Sequence, residues 1–196
     1  MATKKEITYF IVIGLFVASL VGMVFYMSTV LFVDTQTYET ILLADTHSVP
    51  VASISEKGNQ FYLEASLSYE DGDYKSTESN CRLARNYFSD ANEGYLNVKS
   101  EMTSSRSSLV VKYSELLDVL AEMQWNLYEA CEHFESASRY YDTYYNTGVS
   151  FDDTSFDLGN AEIELMNEKI VLHDDNVRKY NSVLSEYRVE LEKKIK

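Results

Sequence analysis

The sequence predicts an all-α protein in which an N-terminal single transmembrane helix precedes an elongated antiparallel (up-down) four-helix bundle with coiled-coil-like packing. Three observations lead to this prediction. Residues 7–33 contain no Asp, Glu, Lys, Arg, His, Asn or Gln. From residue 74 onward, apolar and small residues recur in alternating steps of three and four, the spacing of a seam between packed helices. Short alternating runs of β-branched residues, which would indicate strands, do not recur.

The apolar segment 7–33 is long enough to cross a bilayer. As a helix it would rise about 40 Å, against a hydrocarbon core roughly 30 Å thick. A cleaved secretory signal is the alternative, although the apolar core of such a signal is usually about 7 to 15 residues long. Gly14, Ala18 and Gly22 recur at every fourth position of the segment. We expect this stripe either to pack against another spanning helix or to face lipid.

The charges flanking the segment predict its orientation. Lys4 and Lys5 precede it, and the next Lys or Arg in the chain is Lys57. The positive-inside tendency therefore predicts a single-pass protein of the cell membrane, with a short cytoplasmic N-terminus (1–6) and the bulk of the chain extracytoplasmic. The whole chain carries a formal net charge of −14. It would repel a phosphate backbone, which argues against a nucleic-acid partner.

The boundaries of the bundle helices follow from caps and breaks. Pro50 is the only proline in the chain and is expected to interrupt a helix. Ser53 and Glu56 then form a capping-box pattern. We therefore predict a helical extension and linker over 34–52 and a bundle over 53–196, with helices at about 53–70, 74–103, 107–146 and 155–195.

The two cysteines test this architecture. If the second and third bundle helices are antiparallel around a turn near residue 106, Cys81 and Cys131 lie at the same height. In an oxidising exterior such a pair is expected to form a disulfide. The alternative is two reduced thiols packed in the core.

Aromatic residues concentrate at the end of the bundle that would lie far from the membrane. Exposed aromatic side chains suit a protein contact, because they provide a large contact area at modest entropic cost. They could instead pack on one another. The predicted partner surface consists of Tyr140, Tyr141, Tyr144, Tyr145, Phe151, Asp152 and Asp153.

Basic residues gather at the opposite end, beside the expected membrane. There they would meet anionic lipid headgroups, or they would simply complement the helix dipoles at the ends of helices. The residues concerned are Arg106, Lys112, Lys193, Lys194 and Lys196.

The sequence contains no pattern typical of an enzyme. His47, His133 and His173 do not form a ligand set, and Glu129 with His133 is the single pair one helical turn apart that we consider for a metal contact. We expect no catalytic residues, metal or cofactor. We predict a non-enzymatic protein that serves as a structural or accessory interaction subunit of a cell-envelope or membrane complex. It would bind a protein partner, or form a homo-oligomer, through its transmembrane helix or the tip of its bundle. The alternative is a ligand-sensing four-helix-bundle module that signals through a separate membrane partner.

Overall fold

The computed structural model describes residues 35–102, 107–146 and 153–195, and these form four long helices. The predicted span over 7–33, with Gly14, Ala18 and Gly22, lies outside the described residues. Among the helices that are described, none has both the length and the apolar composition that crossing a membrane requires. The helices are α1 (Thr35–Glu70), α2 (Tyr74–Glu101), α3 (Ser108–Asn146) and α4 (Asp153–Ile195).

The four helices run up and down and pack together, as the sequence predicts. Between α2 and α3, residue numbers rise along one helix as they fall along the other, as in the pairs Glu78–Arg139 and Lys99–Asp118. Hydrogen bonds from Ser108 to Glu190 and from Tyr141 to Asn160 give α3 and α4 the same antiparallel relation. The start of α1, the α2–α3 connection and the end of α4 therefore share one end of the rod.

The helices form an open array around α3. Each helix packs along its length against the next one in the chain, and α1 also reaches α3. Within the described residues the backbones of α1 and α4 scarcely approach each other, whereas the first and last helices of a closed up-down bundle are neighbours. Consequently α3 is central, and part of its surface between α2 and α4 is left uncovered.

Helix α1 is where the structure differs most from the sequence prediction. It runs without a break through Pro50, so residues 34–52 are not an extension followed by a linker, and the helix does not begin at 53. Pro50 is exposed, so water can reach the carbonyl group that proline leaves unbonded. An interior proline costs about 3 kcal/mol. This cost is offset because one stripe of α1, on the face opposite Pro50, is buried against the other helices and continues past the proline. The buried residues of this stripe are Thr37, Ile41, Ala44, Ser48 and Val51.

The turn from α1 to α2 follows from local chemistry. Gly72 has a φ of 75°, a left-handed conformation that glycine adopts without a steric penalty. Asp73 caps α2, because its carboxylate accepts hydrogen bonds from the Ser76 backbone N–H (3.1 Å) and hydroxyl (2.6 Å). These hydrogen bonds hold the pKa of Asp73 below its usual range.

Two apolar clusters fill the rod. The larger cluster lies towards the end where α1 starts and α4 stops, and Tyr180 and Tyr187 of α4 are buried in it. The smaller cluster lies towards the other end and includes Phe88, Cys81 and Cys131. Here α4 packs less closely, since its seam residues Ile163, Met166 and Ile170 are only partly buried. The N-terminal half of α4 thus leaves apolar surface uncovered.

Candidate functional site

An open groove crosses the uncovered part of α3. It has a volume of about 490 Å³, and none of its lining residues belongs to α1. One large apolar side chain from each of three helices lines it: Leu96 of α2, Trp125 of α3 and Leu172 of α4 are 45%, 45% and 46% exposed. We call this the Trp125 groove; its other lining residues are Asn92, Asp118, Ala121, Glu122, Asn126, Asp175 and Asn176.

The aromatic wall of the groove is held in place by its neighbours. The Trp125 ring stacks on the Tyr128 ring, with centroids 4.9 Å apart and planes 11° from parallel. The guanidinium of Arg85 lies over Tyr128, 5.6 Å from the ring centroid. On the groove floor, the Asn92 amide donates a hydrogen bond of 2.8 Å to the carbonyl oxygen of Ala121. This bond fixes α2 to the backbone of α3 in the middle of the rod.

Carboxylates surround the apolar centre of the groove, and each is paired with a cation that does not line it. Lys99 donates to both oxygens of Asp118, at 2.6 and 2.7 Å. Lys179 lies 3.2 Å from Glu122. The third carboxylate, Asp175, pairs with Arg178 one helical turn away. Because these ion pairs are substantially exposed, each contributes about 1 kcal/mol or less to stability.

A buried carboxylate lies beyond Arg85. The Glu135 side chain is 3% exposed and is held between Arg85, at 3.3 Å, and Arg139. Arg139 also donates to Glu78 across the helix pair, at 3.0 Å. These contacts join α2 to α3 through opposite charges. A buried carboxylate that lost one of its partners would be costly.

Cys81 and Cys131 lie in the same buried cluster but are free thiols, so the structure does not contain the predicted disulfide. Both side chains are fully buried. Burial raises the pKa of both thiols well above the usual range, with a further contribution from the neighbouring Glu135 carboxylate. The neutral thiols are therefore favoured, and they pack as small apolar groups.

The aromatic residues at the far end mostly pack on one another. Tyr141 is 5% exposed, donates a hydrogen bond to Asn160 and contacts the ring of Phe156. Tyr145 is 53% exposed and stacks on Tyr74 of α2 at 5.7 Å. Of the rest of the predicted partner surface, Tyr140 and Tyr144 are half-buried and Asp153 begins α4, whereas Phe151 and Asp152 lie outside the described residues.

The basic residues at the opposite end are partly engaged within the protein. Lys112 bridges Glu115 at 2.9 Å and Glu186 at 2.5 Å, and these hydrogen bonds raise its pKa. Lys193 pairs with Glu190 at 2.7 Å. Lys194 is exposed, and Arg106 and Lys196 lie outside the described residues. The structure thus leaves Lys194 as the most available of the predicted headgroup contacts that it describes.

The histidines do not converge. The His133 ring nitrogen lies 2.7 Å from a Glu162 oxygen, and the neighbouring Glu129 pairs with Lys169 instead. His47 pairs with Glu101 near the other end of the rod. Within residues 35–102, 107–146 and 153–195, no group of three or more His, Cys, Asp or Glu side chains is arranged to hold a metal ion.

The sequence patterns did not predict the Trp125 groove or the buried Glu135. A signal for the groove was present, because the single tryptophan of the chain falls between the seam positions Met123 and Leu127 and so points away from the core. The fold and these surfaces define an all-α, up-down array of four helices. No family model, no curated protein and no solved structure matches the chain.

Proposed function

We propose that this protein is a single-pass, membrane-anchored, extracytoplasmic helical rod that acts without catalysis as a structural or accessory interaction subunit of a cell-envelope or membrane complex. The proposal joins the apolar segment 7–33 and its charge asymmetry to the four-helix array. The membrane anchor, the location and the partner are the parts to be tested.

One observation carries the proposal. Within the described residues α1 extends back to Thr35, two residues after the apolar segment, and Thr37, Ile41 and Ala44 are already buried against the other helices. An anchored chain of this kind would hold the rod close against the bilayer, without a long flexible linker. The 36 residues of α1 correspond to a length of about 54 Å. The turn at Gly72 would therefore be carried about that far from the membrane.

The chemistry of the described side chains supports binding over catalysis. Catalytic sites bring a nucleophile, a base and an orienting group together in a concave pocket. In the Trp125 groove the carboxylates are paired with lysine or arginine, while the thiols of Cys81 and Cys131 are buried away from it. Exposed aromatic and leucine side chains beside fixed polar groups are typical of a contact surface.

Membrane insertion and orientation are tested by labelling engineered cysteines. Cys81 and Cys131 are buried and should react slowly. In a background with Ser182→Cys, at an exposed position of α4, we expect a membrane-impermeant maleimide to label intact cells. Ala2→Cys is the matched control, and it should be labelled only after lysis. Release of the full chain from membranes by alkaline carbonate, or labelling of Ala2→Cys alone in intact cells, would overturn the proposal.

A further inference from the structure

We propose that the Trp125 groove binds a cationic amphipathic helix of a partner protein. This inference rests on the proposed role as an interaction subunit and adds the class of partner. It does not require the membrane anchor, so the two proposals can fail separately.

The apolar surface of the groove has no partner within the described chain. Leu96, Trp125 and Leu172 are each nearly half exposed and face one groove from three different helices. On the same face of α4, Leu158 and Leu165 precede Leu172 at heptad spacing and are 43% and 39% exposed. Single exposed leucines are ordinary, but three large apolar side chains, one of them a tryptophan, that line one groove mark a candidate interaction site.

The side chains of the groove are already ordered before a partner binds. Trp125 is stacked on Tyr128, and the amide of Asn92 bonds the α3 backbone directly beneath the groove. Side chains that are already ordered lose little entropy when a partner binds. Tryptophan in such a position is also the residue type that most often dominates the binding energy of an interface.

The charged groups of the groove favour a cationic partner. The groove lining includes Asp118, Glu122 and Asp175 but no Lys, Arg or His. Each carboxylate is already paired with one cation, yet its two oxygens together can accept about four hydrogen bonds. It therefore retains capacity for a lysine or arginine from outside. The net charge of −14 on the chain adds a general preference for a positive partner and repels an acidic one.

The length of the groove favours a short helix as its occupant. Along α3 the lining extends from Asp118 to Asn126, which is about 12 Å, or two helical turns. A groove of this length fits a short helix that inserts two or three apolar side chains, spaced three and four residues apart, and carries basic residues on either side of them. A small cation would fill only part of the groove.

The test uses the single tryptophan of the chain as its reporter. The full chain, in phosphatidylcholine nanodiscs or as the soluble protein if it proves unanchored, is titrated with a synthetic amphipathic Leu–Lys helical peptide. We expect a saturable blue shift of Trp125 emission as the indole loses contact with water. A Leu–Glu peptide with the same pattern should give no shift, and neither should free lysine amide.

Two matched variants of α4 locate the site. Leu172→Asn lies in the groove, whereas Val189→Asn is similarly exposed, at 50%, but lies far down the same helix. We expect Leu172→Asn to weaken peptide binding by about five- to tenfold, given the apolar area it would bury, and Val189→Asn to leave binding unchanged. Circular dichroism of both variants checks that the fold is retained.

Several outcomes would overturn the inference. Equal weakening by the two variants would mean non-specific attraction to an acidic protein, and equal binding of the Leu–Glu peptide would refute the charge argument. A shift with lysine amide alone would identify a small-cation site. If the free protein sediments as a dimer that Leu172→Asn dissociates, the groove is occupied by a second copy of the chain.

Discussion

The close approach of α1 and α2 gives a sharp test of the fold, because it depends on a glycine in one helix facing a valine in the other. A Cβ atom placed on Gly94 would lie 2.8 Å from both γ-methyl carbons of Val51 but 3.4 Å from its Cβ. The substitution Gly94→Ala therefore creates a steric clash in the native protein. The clash disappears when Val51 is also alanine.

Two opposing effects set the magnitude. Alanine is better than glycine in a helix interior by about 1 kcal/mol, whereas overpacking a core costs about 1 to 3 kcal/mol. In the native background we expect Gly94→Ala to lower the free energy of unfolding by up to about 2 kcal/mol. In a Val51→Ala background the same change should raise it by about 1 kcal/mol. The sign of the effect reverses.

The assay is urea unfolding of the purified full chain, followed by circular dichroism, for the native protein, both single variants and the double variant. The coupling between the two substitutions is read from the four free energies. If Gly94→Ala has the same effect in both backgrounds, the two helices do not meet at these residues. The result would then also remove the packing reason for α1 continuing past Pro50.

Three further predictions concern buried polar groups. Burial raises the pKa of Asp45 above its usual value of 3.8, so the charged carboxylate destabilises the folded state. We therefore expect Asp45→Asn to increase thermal stability near neutral pH. This gain should shrink as the pH falls towards 3.8, because Asp45 then becomes protonated in the native protein. Arg85→Met removes a partner of Glu135 and should cost about 3 kcal/mol in denaturant unfolding, most of it recovered by adding Glu135→Leu. Because Cys81 and Cys131 are buried free thiols, intact-mass analysis after brief maleimide treatment should find both unmodified in the folded chain and both alkylated in urea.

The parts of the fold that could be predicted are those with an uninterrupted apolar seam. In α2, Cys81, Ala84, Phe88 and Ala91 keep the helical spacing and are all fully buried. No proline interrupts that pattern, and Thr77, a polar residue on the same seam, lies in the first turn, where its hydroxyl donates to the Asp73 carbonyl oxygen. The all-helical class and the antiparallel packing follow from such seams, because each helix must bury its stripe against another.

The parts that could not be predicted depend on competition between local and tertiary effects. In α1 the buried stripe contains Thr37 and Ser48, which hide its periodicity, and Pro50 gives a strong local signal for a break. Packing overrides that signal only because the proline falls on the solvent face. The Trp125 groove depends on how α2 and α4 are spaced around α3, a property that no single helix encodes.

The common placement of the start of α1 and the end of α4 determines how the rod would respond to force. A force that separates residue 35 from residue 195 would break the contacts between helices one turn at a time, because both points of attachment lie at the same end of the rod. Pulling from the turn at Gly72 against residue 35 would instead load α1 along its axis, with its packed stripe resisting in parallel. The rod should therefore unfold at low force when residues 35 and 195 are pulled apart, and it should resist a force directed along its length.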